Sequence, residues 1–178
     1  MLLSDPRLRF AQEMIAHWTQ IRHAGLVPAE DDLDPRMLTG CLRFITIVAV
    51  DRPDAATIEL VFPEISRRYG RDMRKVDSLQ LFAPEERVKI AETRRLVLGV
   101  PCGTYGRFVI SAGDARVVET EALSLPMRGR GETKPGLLLS LSHDIRPMAE
   151  VAPTVQRRME RTFGEFVDIG AGAPPAIP

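Results

Sequence analysis

The sequence predicts an α+β domain, an antiparallel five-stranded sheet with helices on one face, flanked by an N-terminal and a C-terminal helix. Three observations carry this expectation. Strand-like segments come in a group of two and a group of three, with helical segments between and around them. Short turns join the group of three, as neighbours in an antiparallel meander require. The balance of 44% hydrophobic and 27% charged residues over 178 positions suits one ordinary core.

The first element is an amphipathic helix over residues 6–24. Asp5 can cap its free amides, and Pro6 suits the first helical position because it has no amide hydrogen to leave unpaired. Leu8, Ala11, Met14, Ile15, Trp18 and Ile21 recur at three- and four-residue steps and form one apolar stripe. That stripe must pack on the sheet or on a partner, and Trp18 reads as packing. Gly25 is expected to end the helix in the left-handed conformation. Residues 26–40 form a polar connector in which Asp34-Pro35 starts a short turn holding Met37 and Leu38. Its acidic cluster (Glu30, Asp31, Asp32, Asp34) lacks the alternating oxygen ligands, central glycine and distant glutamate of a calcium loop, so it reads as solvated.

From Arg43 the pattern turns to strands. RFITIVAV (43–50) is apolar on both faces, as in a central strand. A turn at Arg52-Pro53-Asp54 leads into TIELVF (57–62), where alternation places Ile58, Leu60 and Phe62 on one side. An irregular stretch with short helices follows (63–82). Its basic residues Arg67, Arg68, Arg71, Arg74 and Lys75 read as a solvated surface, with an anion or partner site as the alternative. Pro84 starts a longer helix with Glu85 and Glu86 in its first turn and Arg94 and Arg95 near its end, and Gly99 and Pro101 close it. Strands are expected over 103–110, 116–125 and 136–143, joined by SAGDA and RGRGETKPG. The last helix, 154–167, carries Val155, Met159, Phe163 and Phe166 on one face, and the tail IGAGAPPAIP is expected to be disordered. The division is 1–40 helix and connector, 41–146 core, 147–169 C-terminal helix and 170–178 tail.

Composition excludes several classes. Formal net charge is zero, so nothing draws the whole molecule to nucleic acid or an acidic membrane surface. The 21 arginines against 3 lysines point to genome composition rather than chemistry. Cys41 and Cys102 form no Cys-x-x-Cys pair and read as reduced thiols of a cytoplasmic protein, with Cys102 inert. The opening MLLSDPRLRF has neither the basic nor the apolar region of a signal peptide, and no window is apolar enough to span a membrane. Nucleophile-elbow, zinc-protease and phosphate-loop motifs are absent. His17 and His23, six residues apart on one helix, make a poor metal pair. His143 reads as a strand-end histidine, with a ligand contact as the alternative.

The element order resembles that of a PAS domain: two strands, several short helices, one connecting helix, three strands. The sequence is similar to one bacterial PAS-like family in more specific ways. Trp18 on the first helix, Gly25, Val27-Pro28, Asp31-Asp32, Asp34-Pro35, Leu42 and the FITIVAV strand follow that family's order, as do Tyr69-Gly70 and EALSLP (Glu121 to Pro126). The resemblance spans roughly residues 14–143. The chain departs from the family at LVFPEIS, where Phe62-Pro63-Glu64 replaces an Arg-x-x-Gly-Thr turn beside the expected cavity.

The resemblance implies a cavity with Phe62, Tyr69, Arg94, Val97, Tyr105 and His143 as candidate ligand contacts. It leaves the cofactor unknown. Flavin is disfavoured because LQLFAPEER (79–87) lacks the reactive cysteine, and haem because the long helix lacks a histidine. Arg94 falls in the middle of the apolar sector formed by Ile90, Ala91, Val97 and Leu98. It either clamps a carboxylate or phosphate ligand, or snorkels to water, or pairs with an internal acid such as Glu119 or Glu121. The function implied is a non-enzymatic cytoplasmic sensory or signalling module that binds a small molecule or a protein. Partner contact or homodimerisation would run through the N-terminal helix. A carrier protein without signalling role is the alternative, and an enzyme fits least.

Overall fold

The computed structural model describes all residues except 1–4, 24, 53, 133–134, 148, 150–151 and 153–154. The Asp5 carboxylate accepts the Arg7 amide at 3.0 Å, and Pro6 opens a 3₁₀ segment, Pro6–Ala11, irregular at Leu8. It passes directly into helix α1, Gln12–Ile21. All six residues of the expected stripe, Leu8 to Ile21, are buried. The left-handed residue after α1 is His23 (φ 49°) and not Gly25, and the expected last residue, Ala24, lies outside the described ones. In the connector Asp34 caps the turn Pro35–Leu38, as expected.

Six strands form one antiparallel sheet: β1 Ile45–Arg52, β2 Ala55–Val61, β3 Gly103–Ala112, β4 Ala115–Arg128, β5 Pro135–Pro147 and β6 Arg157–Val167, in the order β2-β1-β5-β4-β3-β6. Helices α2 (Pro63–Tyr69) and α3 (Pro84–Gly99) and a 3₁₀ turn, Ser78–Leu81, sit between the strand pair and the rest. Gly70 ends α2 at φ 67°, where its amide reaches the carbonyls of Ser66 and Arg67 and a side chain would be strained. The turn at Arg52-Pro53-Asp54 and the loop before β5 each include positions outside the described residues.

The largest correction concerns residues 157–167, which form a sixth strand on β3 rather than a helix. A bulge at Thr162 explains why the sequence looked helical. Arg161 pairs with Phe108 and Phe163 with Arg107, so Thr162 has no partner and the facing pattern slips by one. The residues turned toward α3 are therefore Met159, Arg161, Gly164 and Phe166, a mixture of two- and three-residue steps. A similar slip at Glu59 corrects β2: Val48 pairs with Ile58 but Ile47 with Leu60, so Ile58 is buried while Leu60 turns to the other face, exposed.

Both faces of the sheet are covered, not one. On one face the Pro6–Ile21 segment packs on Ile45, Ile47, Leu123, Leu125, Leu139 and Leu141. On the other α2, the Ser78–Leu81 turn and α3 pack on Val48, Val50, Ile58, Ile110 and Leu138. The α1 stripe that suggested a partner contact is thus spent on the chain's own sheet. Among the described residues no helix is long and apolar enough to cross a membrane.

His17 ties α1 to the connector. Its Nε2 accepts the Asp34 amide at 3.0 Å, which requires the neutral ring, and burial pushes its pKa below the ordinary 6.5. The unfolded chain therefore takes up the proton first as pH falls. The contribution is full above 6.5 and is lost progressively below it. Thermal melts between about pH 7.5 and 5.5 should show a falling Tm that flattens in His17→Gln. An equal slope in both proteins refutes the assignment.

Candidate functional site

The α3-side face of the sheet is bulky at its ends and small in its middle. Register sets Thr46, Ser140, Ser124 and Thr104 side by side across four strands. The next row is Ser142, Ala122, Gly106 and Gly164. These rows are too short to reach the overlying helices, and a cavity of about 170 Å³ remains above them. Gly106 is needed there: a Cβ would sit 3.0 Å from the Phe108 ring and 3.1 Å from the Phe163 carbonyl oxygen. In the floor the Ser124 and Ser140 hydroxyls bond each other at 2.7 Å.

The roof is mostly apolar, from Ile65 and Tyr69 of α2, Leu81, Phe82 and Ile90. Three arginines interrupt it, Arg68, Arg94 and Arg161, and no aspartate or glutamate among the described residues lines the cavity. Arg68 is the exception in a basic run expected to be solvated. Its guanidinium bonds the Ser142 hydroxyl (2.8 Å) and carbonyl (3.1 Å) and pairs with Asp144 at 2.6 Å. The rest of the run behaves as expected, with Arg67 on Glu64, Arg74 on Asp72 and Lys75 on Glu59. Arg161 of β6 faces Glu86 at 3.9 Å and donates to the Thr93 hydroxyl and the Pro178 backbone oxygen.

Arg94 makes no ion pair among the described residues. It projects from α3 and is 7% exposed. Its Nη2 donates to the Ser78 hydroxyl at 2.7 Å, while its buried Nη1 has no hydrogen-bond partner among the described residues. Arg94 does not reach water, and Glu119 and Glu121 are engaged elsewhere, with Arg146 and Tyr105; the internal acid near it is Asp77, without an ion pair. Burial pushes the Arg94 pKa down to about 10, and the nearby Asp77 opposes this through space. It remains charged at neutral pH.

Of the other candidate contacts, Tyr69 lines the cavity. Its hydroxyl lies 3.5 Å from the Met159 sulfur, and burial pushes its pKa up to about 12. Tyr105 contributes to the wall, but its ring packs tilted against Phe10 and edge-on to Phe163 on the α1 side, and its hydroxyl donates to Glu121. Phe62, Val97 and His143 lie outside the lining. Phe62 packs with the α1-side core, and Val97 is 2% exposed in the α3-side core. His143 stacks on Phe10 and meets Phe44 edge-on, behind the floor. The floor residues went unseen in the sequence, and so did two participants from the end of the chain, Arg161 and Ile177. The first was hidden by the helical reading of 154–167. The second belongs to the tail expected to be disordered, yet Ile177 lines the cavity and Ile169 is buried with its carbonyl held by Arg22 at 2.6 Å. Among the described residues no group of three or more His, Cys, Asp or Glu side chains is placed to hold a metal. Both thiols are buried, which pushes Cys41 up to about 12 and Cys102 up to about 11.

A family model described as a PAS domain matches residues 8–141. That span takes in α1, the helices over the cavity and most of its floor. No curated protein matches the chain.

Proposed function

The chain belongs to the PAS domain family, and from that premise we propose that it is a non-catalytic sensory module whose cavity takes a small molecule. The observation that carries this reading is the cavity itself. Two rows of small residues hold its floor away from three helical segments, and its walls converge hydroxyls and arginines on an otherwise apolar space. Arg94, Tyr69 and the Ser124–Ser140 pair are the proposed ligand contacts, with the Tyr105 backbone behind them.

A route to output follows from the same geometry. Arg161 and Ile177 tie the strand β6 and the tail to the cavity wall. A ligand that displaces Ile177 or draws Arg161 off the Pro178 oxygen changes the surface there, and output passes by protein association. The α1 stripe is not that surface, since it is buried.

Native mass spectrometry of gently purified chain is expected to show a small molecule retained. Hydrogen exchange in 168–178 is expected to change when that molecule is removed. A chain that carries nothing, and binds none of a broad panel of small molecules, defeats the reading. Binding without any change in the tail favours a carrier.

A further inference from the structure

The cavity's charge balance says more about its ligand. Arg68 is matched by Asp144, at 2.6 Å, and Arg161 faces Glu86. Arg94 is the lining arginine for which no ion pair is seen among the described residues, and Asp77 acts on it only through space. Among the described residues its guanidinium bonds only the Ser78 hydroxyl, whose own hydrogen is committed to the Ala56 carbonyl at 2.9 Å. A buried guanidinium with one nitrogen unpaired is a costly arrangement, and an anion inside the cavity would resolve it.

Size and charge narrow that anion. A space of about 170 Å³ is a little larger than the roughly 150 Å³ that accommodates benzene, so the ligand has about six to nine non-hydrogen atoms. Its body meets Ile58, Leu81, Phe82, Ile90 and Leu138, which are apolar. One unmatched positive charge fits a single negative one. A phosphate monoester carries close to two charges, one more than Arg94 offers; a second buried guanidinium nitrogen without a hydrogen-bond partner among the described residues, Arg68 Nε, belongs to a cation already paired with Asp144.

We propose that the cavity binds a small carboxylic acid as its anion, the carboxylate on Arg94 Nη1 and the apolar body against the α3-side core. This rests on the reading of the cavity as a small-molecule site. The two are separable, because a neutral ligand would satisfy the first reading and not this one.

The test titrates the full chain with benzoate and hexanoate, their uncharged counterparts benzamide and hexanamide, and phenyl phosphate, by calorimetry. Either carboxylate should bind at least about tenfold more tightly than its amide and than phenyl phosphate, the scale of a charged hydrogen bond. Arg94→Met should bring the carboxylate down to the amide and leave the amide unchanged. Amides binding as well as acids overturn the proposal while leaving a small-molecule site standing. Tighter binding of phenyl phosphate overturns the choice of a single charge. Binding by none of the five overturns it too. Should Arg94→Met fail to fold, carboxyl-labelled benzoate on the unaltered chain decides. Its bound resonance should stay ionised at a pH where free benzoate protonates, and a bound acid that protonates with the free one overturns the proposal.

Discussion

Trp18→Ala is expected to destabilise the fold by about 3–5 kcal/mol, the cost of truncating a large buried aromatic. Trp18 has no exposed surface and belongs to the cluster that α1 forms with Leu125, Met127 and Leu139. Its ring nitrogen donates to the Pro126 carbonyl at 3.0 Å, a bond that ties α1 to β4 across 108 residues of sequence. Alanine removes the ring, leaves a void between helix and sheet, and strands that carbonyl away from water. Trp18→Phe separates the contributions: it keeps most of the apolar volume and should lose about 1–2 kcal/mol, mainly the hydrogen bond. Denaturant unfolding measures both. The loss should not depend on protein concentration, because the stripe is buried within one chain. A Trp18→Ala protein that melts like the parent refutes the packing of α1 on its own sheet.

Much of this architecture was legible because local and tertiary preferences agree. Pro84 to Gly99 reads as a helix from its proline start, acidic first turn and glycine stop, and it forms over those residues. The stripe from Leu8 to Ile21 was legible because its three- and four-residue spacing survives the change from the 3₁₀ segment to α1, and all six residues are buried. Where a bulge breaks the period, reading failed. At Thr162 one inserted residue turns strand alternation into helix-like spacing, and at Glu59 it moves Leu60 to the opposite face. Neither bulge has a glycine or proline to announce it.

The cavity was half legible. Arg94 stood out because a cation in an apolar sector violates the pattern of its own helix. The floor could have been read too: GTYGRF, EALSLP and LLSLSH each alternate bulky residues with Gly, Thr, Ala or Ser. What one chain of letters does not carry is which strands lie side by side. Only register brings Thr46, Ser140, Ser124 and Thr104 into one row. The same gap hid Arg68, whose matching carboxylate lies 76 positions away in sequence, at Asp144. His143 and Phe62 were placed in the site by family likeness; strand parity puts His143 on the α1 side, and Phe62, just past the end of β2, packs there too.

The second large effect is expected at Asp144, where removal of the carboxylate should cost about 2–3 kcal/mol. The Arg68 side chain is 4% exposed and Asp144 33%, so the cation is deeply buried and its partner reaches the surface. Asp144→Ala leaves the guanidinium in the cavity wall with the Ser142 hydroxyl and carbonyl but no negative charge. An uncompensated buried charge makes this cost larger than the worth of the pair, and the partial exposure of Asp144 keeps it below that of a wholly buried pair. Arg68→Met then supplies the diagnostic step. In the Asp144→Ala background it should recover about 1–2 kcal/mol, because an apolar chain of similar length replaces a stranded cation. Chemical denaturation of the four proteins gives the cycle. Additive losses would show that Arg68 and Asp144 act independently, against the geometry. The same variants bear on the ligand: with Asp144 gone the cavity holds two unmatched arginines, so a carboxylate should bind Asp144→Ala more tightly than the parent. Weaker binding there, in a protein that remains folded, would count against Arg94 as the anion's anchor.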